Sequence, residues 1–136
     1  MSDISIGIDL GTTNSCVACL RKIQNETTGN RIEVIKDFSG LSLIPSIVSF
    51  TDTNCFVSEA AKIRSIQNHQ NTIRNIKRII GIEFDKINEK DKSQYNLSRN
   101  DKDNSCLINV TYKNKKKKFY SSSNFLIYFI IYKNTN

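Results

Sequence analysis

The sequence predicts an α/β fold on three observations. Apolar residues at period two recur through the first half, helix-start signals follow at Ser58 and Ser121, and two strand-like runs bracket a lysine-rich stretch near the end. Ile4, Ile6, Ile8 and Leu10 share one face, with Ser5, Gly7 and Asp9 opposite, which makes a first strand. Gly11 breaks the alternation, Thr12, Thr13 and Asn14 supply hydroxyls and turn propensity, and Ser15 to Leu20 reads as the return strand. Arg31 to Ile35 alternates as a third strand, reached through the turn residues 27–30 and left through a second turn around Gly40. The three strands form a meander whose tip carries the Asp9 carboxylate beside a glycine and two threonines.

The next run, Pro45 to Asp52, is expected to be one strand, with Ile47 and Ser49 alternating against Val48 and Phe50 and Pro45 tolerated at its first position. Cys55 to Val57 is a short strand, after which Ser58 can cap a helix that has Glu59 in its first turn. From Asn71 to Gly81, Ile73, Ile76 and Ile80 fall at helical spacing with glycine as the stop. Residues 83–105 are polar and read as loop or weak helix. Cys106 to Tyr112 and Phe119 to Tyr120 are strands flanking a basic turn, Lys113 to Lys118, and an apolar helix of eight residues, Phe125 to Tyr132, closes the pattern. Eight residues span about 12 Å as a helix, too little for a bilayer.

A chain of 136 residues suits one domain, and its hydrophobic fraction of 38% with 24% charged residues excludes disorder throughout. The net charge of +7 points toward an anionic partner. However, Lys outnumbers Arg by 14 to 6, Ile and Asn are also abundant, and aromatic residues are scarce among the basic ones, so nucleic acid is not the expected partner. Cys16 and Cys19 have the spacing of a metal or redox pair. On a strand, residues three apart face opposite ways and cannot share one ion, so the four cysteines read as free thiols in a reducing compartment. Met1-Ser2-Asp3 offers no basic signal region, and the expected location is cytoplasmic.

The tip of the first hairpin suits phosphate and Mg²⁺ together. Glycine lets the main chain approach an anion, turn amides and threonine hydroxyls donate to its oxygens, and a strand-end carboxylate can order the waters of the cation. Neither GxxxxGK[ST] nor GxGxxG is present. The run Ile-Gly-Ile-Asp-Leu-Gly-Thr-Thr-Asn-Ser-Cys-Val-Ala, residues 6–18, resembles the first phosphate-binding hairpin of the seventy-kilodalton heat-shock, or DnaK-type, chaperones. Ser58-Glu-Ala-Ala-Lys62 and the register of Asn71, Thr72, Lys77, Arg78, Ile80 and Gly81 are similar to further motifs of that family. Two departures stand out. Ile82 replaces the family's usual arginine, and Ser42-Leu43-Ile44 replaces Arg-Thr-Thr before Pro45-Ser46, where apolar residues resemble the HscA-like branch of iron–sulfur cluster assembly.

The resemblance implies an actin-like ATPase fold of which residues 1–136 hold only the N-terminal portion: the β-meander, the peripheral lobe and the start of a central helix. It implies ATP or ADP with Mg²⁺ as cofactor. Asp9, Gly11, Thr12, Thr13 and Asn14 are the nucleotide-binding residues, with Asp9 reaching Mg²⁺ through water and Lys62 as the catalytic lysine facing the γ-phosphate. Lys77 and Arg78 read as a basic last turn complementing a helix dipole. In the full-length family the partners are unfolded peptides, J-domain co-chaperones and nucleotide exchange factors, in protein folding, the stress response or iron–sulfur assembly. The second phosphate hairpin, the adenosine-binding segments, the interdomain linker and the peptide-binding domain are expected to be absent, leaving a truncated chaperone with little activity alone. An alternative reading is a non-enzymatic module that binds a protein or polyanion through its basic hairpin.

Overall fold

A computed structural model describes residues 5–22, 29–37 and 39–122. Three small antiparallel sheets follow one another along the chain. In the first, β1 (Ile6–Leu10) pairs with β2 (Asn14–Lys22), which pairs with β3 (Asn30–Val34). The register sets Asp9 opposite Cys16 and Leu10 opposite Ser15, so the tip is the tight connection expected at Gly11. A fourth strand, β4 (Ile44–Pro45), pairs with the start of β2, Asn14 against Pro45.

The expected single strand from Pro45 to Asp52 is two strands in two sheets. Ser46 interrupts it, and β5 (Ile47–Phe50) lies between β6 (Cys55–Val57) and β7 (Thr72–Arg74) in the second sheet. All four residues of β5 are buried, because a central strand covered on both faces gains nothing from alternation. The fully buried Ser49 keeps its hydroxyl satisfied by the Asn68 amide at 3.0 Å and the Thr72 hydroxyl at 2.9 Å.

Two helix expectations change. Helix α1 (Ser58–Arg64) forms, but Ser58 is its first residue at φ 57°, Val57 occupies the cap position without a side-chain bond, and the Ser58 hydroxyl points at Asp37 Oδ2, 3.5 Å away. From 71 to 81 there is no continuous helix. A 3-10 turn (His69–Asn71), strand β7 and a second 3-10 turn (Ile76–Arg78) follow one another, with Asn75 left-handed at φ 55° between the last two. Asparagine tolerates that conformation, and the reversal still buries Ile73, Ile76 and Ile79. Arg78 does not serve a helix dipole there; it reaches Asp91 at 3.8 Å, on the short helix α2 (Glu89–Lys92).

The third sheet is β8 (Leu97–Arg99), β9 (Cys106–Tyr112) and β10 (Lys115–Tyr120), with β9 central. Strand β8 lies inside the stretch read as loop or weak helix. The basic turn is also shorter than expected. Lys113 and Asn114, at φ 53° and 58°, make a two-residue turn, and Lys115 to Lys118 belong to β10. This sheet packs on β5 through Phe50, whose ring stacks on Phe119 at 5.5 Å and meets Tyr112 edge-on at 5.6 Å. Around it Val48, Ile73, Ile76, Ile79, Ile108 and Val110 complete one core. The expected helix at 125–132 and residues Ser123 and Asn124 of its capping run lie outside the described residues.

Tyr95 ties α2's end to the second sheet, donating its hydroxyl to the Arg74 carbonyl at 2.7 Å. Burial, reinforced by the Asp91 carboxylate, pushes its pKa from 10.0 up to about 12. The folded state therefore favours the neutral phenol; this contribution is complete below pH 10 and is lost as pH rises from 10 through 12. Urea midpoints of the wild type should fall more steeply across that window than those of Tyr95→Phe, and parallel slopes would contradict the assignment.

Candidate functional site

The Gly11–Asn14 connection is held from outside by Ser46, the residue that separates β4 from β5. The Ser46 amide donates to the Thr13 carbonyl at 2.8 Å, and its hydroxyl donates to the Gly11 carbonyl at 3.0 Å. A hydroxyl has one hydrogen, so the buried 2.9 Å contact between Ser15 Oγ and Ser46 Oγ is donated by Ser15. Gly11 is required by space. A Cβ built there would sit 2.1 Å from the Asn14 carbonyl oxygen, a main-chain atom that cannot swing aside.

Beside this turn lies a cavity of about 340 Å³ lined by Thr12, Thr13, Asn14, Pro45, Ser46, Ile47, Lys62, Ser65, Arg74 and Asn75. Four residues expected from the sequence, Thr12, Thr13, Asn14 and Lys62, thus meet around one space, although Lys62 is 48 residues from Asn14 in the chain. Asp9 and Gly11 are not part of its lining. Asp9 is exposed at the penultimate position of β1. Lys62 is exposed too, and its Nζ pairs with Glu59 at 3.2 Å, one turn back on α1. Such an exposed pair is worth well under 1 kcal/mol, so the ammonium is free to change partner.

Sequence reasoning missed Arg74 and Ser46. Arg74 brings a second cation to the cavity from β7, and no signal could have singled it out while 71–81 read as a helix. Ser46 was visible as part of a motif, but its clamp on Gly11, 35 residues away, is a tertiary fact. Lys77, in the second 3-10 turn, is exposed and does not line the cavity.

A family model described as Hsp70 protein matches residues 5–129. The chain belongs to the Hsp70 family. Chaperone protein DnaK of Psychrobacter cryohalolentis is 42% identical over 87 residues, which cover 63% of this chain and 12% of that protein. Heat shock 70 kDa protein 2 of Paracoccidioides lutzii is 38% identical over 116 residues, 85% of this chain and 17% of the relative. For the heat shock 70 kDa protein of Ajellomyces capsulatus the corresponding values are 37%, 116 residues, 85% and 16%. The chain therefore spans less than a fifth of the length of these Hsp70 relatives. Its antiparallel strands and short helices are consistent with an N-terminal part of the Hsp70 actin-like ATPase domain. Among the described residues no helix is long and apolar enough to cross a membrane, and no cluster of three or more metal-ligating side chains occurs.

Replacing Gly11 by alanine should open the turn and destabilise the first sheet by about 2 kcal/mol, the usual scale of an overpacked site. Urea unfolding followed by circular dichroism checks this, and an unchanged midpoint would mean that the turn relaxes freely.

Proposed function

We propose that residues 1–136 form one wall of the nucleotide-binding domain of an Hsp70-family chaperone, and that the Gly11–Asn14 turn holds the phosphates of Mg-ATP or Mg-ADP. The observation that carries this reading is the cavity shared by Thr12, Thr13, Asn14, Lys62 and Arg74. Its donor set fits an anion: two hydroxyls, a carboxamide, turn amides and two cations. Bound nucleotide would supply the phosphoanhydride whose cleavage drives the chaperone cycle in the family.

The chain's own residues bind and orient. Thr12 and Thr13 donate from hydroxyl and amide to phosphate oxygens, and Gly11 lets the main chain come close. Asp9, at the end of β1, orders water around Mg²⁺. Lys62 leaves Glu59 to neutralise the terminal phosphate, and Arg74 adds charge from the facing strand.

Apolar side chains left exposed on the meander support the idea of a single wall. Ile6 is 61% exposed, Ile8 51% and Ile32 73%, an arrangement expected where further structure packs. Phosphoryl transfer depends on positioning from both sides, so residues 1–136 taken by themselves would bind nucleotide weakly. Cytoplasmic location, chaperone partners of the family and the choice between general folding and iron–sulfur assembly belong to the same proposal.

Chemical-shift mapping suits weak binding. Millimolar Mg-ATP should shift the amides of residues 11–14 and the side chains of Lys62 and Arg74, and leave β8 to β10 unmoved. Thr12→Val with Thr13→Val should weaken binding at least about tenfold, the scale of one lost hydrogen bond to a charged group. Lys62→Ala and Lys77→Ala are compared side by side; a loss confined to Lys77→Ala would remove the role given to Lys62. Shifts confined to other surfaces would remove the site.

A further inference from the structure

Among the described residues strand β10 is an edge, and the turn fixes its hydrogen-bonding parity. The two-residue turn makes Tyr112 and Lys115 a bonded pair, so Val110 with Lys117 and Ile108 with Phe119 are bonded as well. Three bonds confirm the alternation. Ser121 N–H reaches the Cys106 carbonyl at 2.9 Å, whereas the amides of Asn109 and Thr111 point away from β10, to the Asn96 carbonyl at 2.7 Å and to Asn71 Oδ1 at 2.8 Å. Lys116 and Lys118, paired with Thr111 and Asn109, therefore aim their own N–H and C=O groups outward. Among the described residues nothing accepts from or donates to them.

The four lysines divide by face. Lys115 and Lys117 stand, exposed, on the side that carries Tyr112 and Val110, where charges at a sheet edge beside the core block unwanted pairing. That account leaves Lys116 and Lys118 unexplained. They stand on the other face with Thr111 and Asn109, beside a groove of about 330 Å³ lined also by Gln70, Asn71, Asn96, Val110 and Lys117. No ion pair among the described residues engages Lys115, Lys116, Lys117 or Lys118.

We infer that the open edge of β10 docks an extended acidic segment of a partner protein, which joins the sheet as a fourth strand and sets carboxylates against Lys116 and Lys118. Outward main-chain groups supply the pairing, as in other strand-addition complexes. Alternate residues of an extended segment repeat at about 6.8 Å, the spacing of alternate lysines on β10 itself, so every second acidic side chain finds a cation. The amide-lined groove beside them receives the same side chains. A second copy of this chain is disfavoured as occupant, because antiparallel pairing of β10 with itself opposes lysine to lysine. Single-stranded nucleic acid gains nothing from the main-chain edge, and for base stacking the strand offers Tyr120 alone, since Phe119 packs on Phe50.

The test uses the full chain and a fluorescein-labelled peptide of alternating glutamate and threonine, followed by anisotropy. Binding should weaken with salt, and methylating one of the peptide's two alternate sets of amide nitrogens should abolish it while methylating the other does not. Lys116→Ser with Lys118→Ser should weaken binding about three- to tenfold, the scale of two exposed ion pairs. Lys115→Ser should change it less than about twofold at physiological salt, because Lys115 stands on the opposite face and does not line the groove. Equal tolerance of both methylated peptides, a loss from Lys115→Ser as large as that from Lys116→Ser with Lys118→Ser, tighter binding of oligouridine RNA, or self-association of the chain through this edge would each overturn the inference.

Discussion

The hydroxyl and amide of Ser46 are the point on which the architecture turns. This one residue stands where the chain leaves the first sheet and enters the second, and it bonds Gly11, Thr13 and Ser15 at once. The Gly11 turn is therefore fixed by the second sheet as well as by its own hairpin. Each such bond contributes about 1 kcal/mol net, but a buried partner left unsatisfied costs about 1–3 kcal/mol, so the clamp is enforced mainly by what its loss would strand. Ser15, 1% exposed, is the partner at risk.

From that fixed point the rest of the cavity follows. Strand β5 begins immediately after Ser46 and is buried throughout, so α1 on one side and β7 beside it are positioned by a rigid central strand. Lys62 on α1 and Arg74 on β7 thereby arrive on the same space as Thr12 and Thr13. The aromatic contact of Phe50 with Tyr112 and Phe119 ties the third sheet to the same strand, at the end away from the turn. One short strand thus connects the Gly11–Asn14 turn to a basic sheet edge.

The elements legible in the sequence were those whose local signal and tertiary role agree. The alternation of Ile6, Ile8 and Leu10 ending at Gly11 admits one reading, and so does the return strand. The stretch 71–81 does not: isoleucines three and four apart satisfy a helix, but they equally satisfy a strand, a left-handed Asn75 and a 3-10 turn that face one core. Burial of β5 on both faces hid the break at Ser46. The turn at Lys113-Asn114 lacks glycine, so the lysines after it read as loop although they pair with β9. Of the site, the threonines and Lys62 were legible from motifs. Arg74 and the Ser46 clamp depend on contacts across the chain and left no local trace.

Amide hydrogen exchange of residue 46 and the Gly11–Asn14 turn in Ser46→Ala, with and without Mg-ATP, tests the central claim most directly. If Ser46 preorganises a phosphate site, exchange at the amide of residue 46, which donates to the Thr13 carbonyl, should accelerate at least tenfold in the variant while β8 to β10 keep wild-type protection, and Mg-ATP should slow exchange at the turn in the wild type alone. Unchanged protection at residue 46, or equal protection of the turn by nucleotide in both proteins, would contradict the account.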